Sequence, residues 1–93
     1  MTRIEDFLDL EGRVTRWPAG KGKMAEQELI LAYLSEKFTL GVIYTEREVN
    51  QILKSHHTFE DWAILRRELF ERGYLNRDKD GSRYWRTPNV TFF

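Results

Sequence analysis

Two groups of basic side chains stand out in a chain whose 15 acids and 15 bases cancel. The first, Arg13, Arg16, Lys21 and Lys23, lies in GRVTRWPAGKGKM (Gly12–Met24), which holds no acid. The second, Arg77, Lys79, Arg83 and Arg86, lies near the C-terminus and is interleaved with Asp78 and Asp80. Cations gathered this way can neutralise phosphates and release counterions. Trp17 in the first group could stack on a base. The same residues also make ordinary solvated loops, with Trp17 plugging a core.

Other chemistries are excluded. PAGKGKM has glycines and lysines, but not the spacing, the hydroxyl residue or the buried parallel strand of a phosphate loop. His56 and His57 are adjacent, so on a helix they diverge by about 100°. With no cysteine and no third histidine, no metal set is complete. His56 falls on an apolar helix face, and His57 is expected to serve a turn. Paired acids such as Glu60 and Asp61 imply no cleft that would shift their pKa values, and no serine sits in a nucleophile motif. We expect neither an enzyme nor a cofactor.

These side chains need a scaffold. Ninety-three residues with 41% hydrophobic content make one domain with a small core. Its expected parts are an N-terminal arm (1–23), a core (24–86) and a tail (87–93). No run approaches the roughly 20 apolar residues that span a bilayer, and the N-terminus lacks the layout of a secretory signal. A cytoplasmic, non-membrane setting is expected. Residues 1–11 carry −3, 12–23 carry +4, 24–76 carry −3 and 77–93 carry +2. Global charge therefore predicts no polyanion partner, while local patches could meet one.

RVTRW alternates like a strand and ends at Trp17-Pro18, since proline holds the preceding residue extended. AGKGK reads as a connector. From Met24 to Phe38 the period is helical: Ile30, Leu31, Leu34 and Phe38 share one face, with Met24 close by. Leu29 and Tyr33 fall roughly opposite, which demands a second contact. The N-terminal arm is favoured over a partner chain. TLGVIY reads as a turn and a short strand. Thr45 and Glu48 form a capping box that opens a second helix, whose Val49, Ile52 and Leu53 share a face. A third helix is expected over Phe59–Arg72, ending before Gly73. YLNR and RYWR flank DKDGS, where Asp80-Gly81 signals a tight turn. The predicted fold is α+β: a winged helix-turn-helix of three helices plus a C-terminal β-hairpin wing, with an extended N-terminal arm.

Tyr44–Arg86, preceded by Phe7–Pro18, resembles the bacterial family known as domain of unknown function 2087. The cues are Arg16-Trp17-Pro18, Tyr44-Thr45-Glu46 with Val49-Asn50, Leu65-Arg66-Arg67-Glu68-Leu69 and Gly81-Ser82-Arg83-Tyr84-Trp85. The resemblance implies a prokaryotic, winged-helix-like domain, sometimes joined to a DNA-binding regulator. It implies no catalytic residues.

In a helix-turn-helix the second helix of the motif enters the major groove. Here Phe59, Trp62, Ala63, Leu65, Leu69 and Phe70 read as its core face. Glu60, Asp61, Ile64, Arg67, Glu68 and Glu71 read as its exposed face. Four acids against one arginine oppose approach to phosphates, although first-turn acids also complement the helix dipole. Arg67 is a candidate base or phosphate contact, and Arg72 a phosphate contact from the helix end. Arg66 falls inside the apolar stripe, so its stem should lie on aromatics and its head should pair with a carboxylate. The favoured function is weak binding of duplex DNA in a transcription setting, through Arg67, the wing and the arm. The rival is a protein-interaction or dimerisation module, a homodimer or the partner of a regulator protein, using the acidic face of the third helix, Leu29, Tyr33 and the terminal Phe92 and Phe93.

Overall fold

The computed structural model describes residues 2–88. Three helices, α1 (Met24–Ser35), α2 (Glu46–Ser55) and α3 (Trp62–Glu71), precede the strands β1 (Leu75–Arg77) and β2 (Tyr84–Arg86). The strands pair antiparallel, Asn76 opposite Trp85. Tyr44 joins them as a third, one-residue strand through reciprocal 2.8 Å backbone bonds with Tyr84.

Local chemistry accounts for the boundaries. Thr45 and Glu48 close the predicted capping box, at 2.8 and 3.1 Å. Such a cap stabilises a helix by about 1 kcal/mol. α1 stops at Ser35, three residues short of the expected end, and a tight turn carries the chain on to buried Phe38. Met24, expected near the buried face, is 69% exposed at the first position of α1.

α3 also starts later than the pattern suggested. Asp61 caps it, accepting from the Ile64 N–H, and Glu60 before it adopts φ 54°. The intervening turn is held by His57, which lies buried below it. His57 Nε2 accepts from the Asp61 N–H at 3.0 Å, so Nδ1 carries the proton it donates to the Leu53 carbonyl. His57 serves the turn as expected, while His56 is half-buried at the end of α2. The buried stripe of α3 narrows to Leu65 and Leu69. Trp62 and Phe70 are only partly covered, and Ala63, expected on the core face, is exposed.

The core unites Ile30, Leu31 and Leu34 of α1, Val49 and Leu53 of α2, the α3 pair, and Leu75 and Tyr84 of the hairpin. Phe7 and Val14 complete it at 0% exposure, although both precede α1. The N-terminal segment is thus built into the core. A 3-10 turn (Ile4–Phe7) leads to a bridge between Leu8 and Val14. Val14 also pairs with His57, through bonds of 2.8 Å to the His56 carbonyl and 2.9 Å from the Thr58 N–H. Gly12 turns the chain at φ 79°, and its carbonyl accepts from the Tyr33 hydroxyl at 2.6 Å. A Cβ at Gly12 would sit 3.0 Å from that hydroxyl, so glycine is needed for both φ and space. Tyr33 therefore meets the N-terminal segment, the favoured alternative for that face.

Candidate nucleic-acid interface

A groove of about 620 Å³ runs between α3 and the wing. It is lined by Arg66, Arg67 and Arg77 against Asp61 and Glu71, with Ala63, Ile64, Phe70 and Tyr84 supplying apolar wall. α3 places Arg66 and Arg67 one step apart on the helix. The end of β1 delivers Arg77, whose guanidinium stacks 4.2 Å from the Phe70 ring centre. The wing loop is set by Asp78, which accepts from the Arg83 N–H at 3.1 Å, while Gly81 turns at φ 73°.

The three arginines differ in freedom. Arg66 donates to Asn50 Oδ1 and lies 3.7 Å from Glu46, fastening α3 to α2. Its side chain is 22% exposed. Arg67 is 60% exposed and, among the described residues, pairs with Glu68 alone, at 3.9 Å. Arg66→Ala is therefore expected to cost about 1–2 kcal/mol, since hydrogen bonds from a charged, partly buried donor are lost. Arg67→Ala should stay within about 0.5 kcal/mol. Thermal melts of the two variants check this, and equal midpoints would contradict the assignment.

The other predicted cations are mostly engaged within the fold. Arg13 is 2.9 Å from Asp9 and 3.5 Å from Glu11. The Arg13 N–H, helped by the Glu11 N–H and the Arg13 guanidinium, holds the Asp9 carboxyl below the usual carboxylate range. Arg16 lies over the Phe7 ring at 4.6 Å, and Lys23 is 3.5 Å from Glu26. Arg83 is tied to Asp78 at 2.8 Å, and Arg86 donates to the Phe38 carbonyl at 3.2 Å. Arg72 is bound on three sides: to Glu68 at 2.9 Å, Glu28 at 3.1 Å and Gln27 at 2.6 Å. Lys21 and Lys79 have no ion pair among the described residues.

Of the two basic groups, Arg77 lines the groove between α3 and the wing. Arg13 lines a different one, beside Lys54, His57, Glu60 and Trp62 at the α2–α3 turn. Trp17 packs against the core, its ring 5.9 Å from the Arg72 guanidinium. Leu29 is half-buried on the outer side of α1, and Phe92 and Phe93 lie outside the described residues.

Sequence reasoning missed the Glu28–Arg72–Tyr74 cluster. Burial, reinforced by its hydrogen bond to Glu28, pushes the Tyr74 hydroxyl well above the ordinary tyrosine range. The Glu68–Arg72 pair has the helical i,i+4 spacing and was there to be found. Nothing in the sequence marks Glu28, 44 positions from Arg72, as their partner.

A helix, a one-residue strand, two further helices and a β-hairpin, in this order, make an α+β arrangement consistent with a winged helix-turn-helix topology. The chain belongs to a bacterial family: the family model described as "Uncharacterized protein conserved in bacteria (DUF2087)" matches residues 13–86. Searches of curated proteins and of solved structures gave no match. No described helix is long and apolar enough to cross a membrane, and no described cluster of His, Asp and Glu could hold a metal ion.

Proposed function

We propose that this domain is a weak duplex-DNA-binding module of the winged-helix type, acting in transcription, and not an enzyme. The observation that carries the reading is the α3–wing groove, where Arg67 and Arg77 flank exposed Ala63 and half-buried Ile64, the latter packed on the core rather than on the open face the sequence suggested. The contact set is smaller than the sequence suggests, because Arg13, Lys23, Arg72, Arg83 and Arg86 are ion-paired or hydrogen-bonded within the fold. Arg67 and Arg77 line this groove, and with Lys79 of the adjoining wing loop they are the phosphate contacts of the reading. Asp61 and Glu71 in the same groove keep affinity low.

Three phosphate contacts predict a log–log salt slope near −2.7, hence about a 40-fold loss of affinity between 50 and 200 mM salt. Fluorescence anisotropy with a random duplex measures this. Arg67→Glu with Arg77→Glu should abolish binding without unfolding the domain. Absence of binding at low salt in the native protein refutes the reading. A second reading, a protein-interaction module, draws on the apolar run Leu40, Val42 and Ile43, which are 52%, 39% and 56% exposed between α1 and α2.

A further inference from the structure

We propose that the outer face of α1 is a self-association surface, on which a second copy of this chain packs its own α1 antiparallel across a two-fold axis. This does not depend on the DNA-binding reading. Ala25, Leu29 and Ala32 fall within about 60° of arc on the helix. They line a groove of about 460 Å³ whose rim is Glu28, Arg72 and Tyr74. Two small residues flanking one leucine allow close approach of a second helix.

Charge selects the occupant. Lys21, just before α1, and Glu36, its C-cap residue, are both exposed and make no ion pair among the described residues. Glu36 lies in line with the Ala25–Leu29–Ala32 stripe and sits at the negative end of its own helix dipole, where a carboxylate is unfavourable. The last turn of α1 offers no basic residue to offset it. An antiparallel second copy resolves this. The register that sets Ala25 against the partner's Ala32 also sets Lys21 against the partner's Glu36. Each Glu36 then meets the positive end of the other helix together with a lysine. An isologous contact needs this kind of self-complementarity.

Twelve helical residues span about 18 Å, so the seam is short of a standard interface of roughly 1,600 Å². The dimer is therefore weak, with a dissociation constant on the order of 10–100 μM. Sedimentation equilibrium of the whole chain tests it, with melts confirming that each variant is folded. The native chain should pass from monomer to dimer over that range. Leu29→Glu should abolish association, and Glu36→Lys should weaken it about tenfold. Adding Lys21→Glu to Glu36→Lys should restore it, because the swapped charges again face each other. A native chain that stays monomeric to about 1 mM overturns the proposal. So does a charge-swapped double variant that stays as weak as Glu36→Lys. Either result leaves the face to a partner other than a second copy.

Discussion

Replacing Phe7 by alanine is expected to destabilise the domain by about 3–5 kcal/mol. Phe7 is fully buried, and its carbonyl accepts from both the N–H and the hydroxyl of Thr15, at 2.8 and 3.0 Å. Its ring also carries the Arg16 guanidinium. A domain of this size has about 5–14 kcal/mol in total, so the variant loses a large part of its stability. Its melting midpoint should drop by more than about 12 °C. Thermal or urea denaturation followed by circular dichroism reads the effect. A drop of only a degree or two would mean that residues before α1 form a detachable arm, as their composition alone suggests.

Arg72→Ala is expected to cost about 2–3 kcal/mol. The guanidinium joins the end of α3 to α1 through Glu28, Glu68 and Gln27, and it is 22% exposed. Removing it leaves the Glu28 and Glu68 carboxylates near one another without their shared cation, although partial solvent access moderates the penalty. Arg72→Lys should recover only part of the loss, because an ammonium cannot reproduce the planar fork. DNA affinity at low salt, corrected for the folded fraction, should be unchanged in Arg72→Ala. A fold of native stability with weakened DNA binding would reverse the assignment and return Arg72 to the role of a phosphate contact.

The parts of the fold that were legible in the sequence rest on local chemistry. The Thr45–Glu48 box, the glycine turns at 73 and 81 and the period of α1 depend on residues within one or two turns of each other. Phase errors arose where tertiary contacts replaced local signals. The apolar period suggests a helix from Phe59, but the His57 ring accepts the Asp61 N–H and the cap lies at Asp61. The basic residues of the candidate site were visible individually. Their availability was not, because it depends on pairings such as Arg86 with the Phe38 carbonyl and Arg72 with Glu28. Even Arg13, whose i,i+4 partner Asp9 could be read from spacing, is neutralised only because the chain reverses at Gly12 and brings the two side chains together.

The pairing of Val14 with His57 ties the beginning of the chain to the joint between the second and third helices. That strap makes the N-terminus a mechanical handle on α3. A force applied ahead of Phe7 therefore reaches the turn before α3 through two backbone bonds, at a point outside the groove that α3 lines.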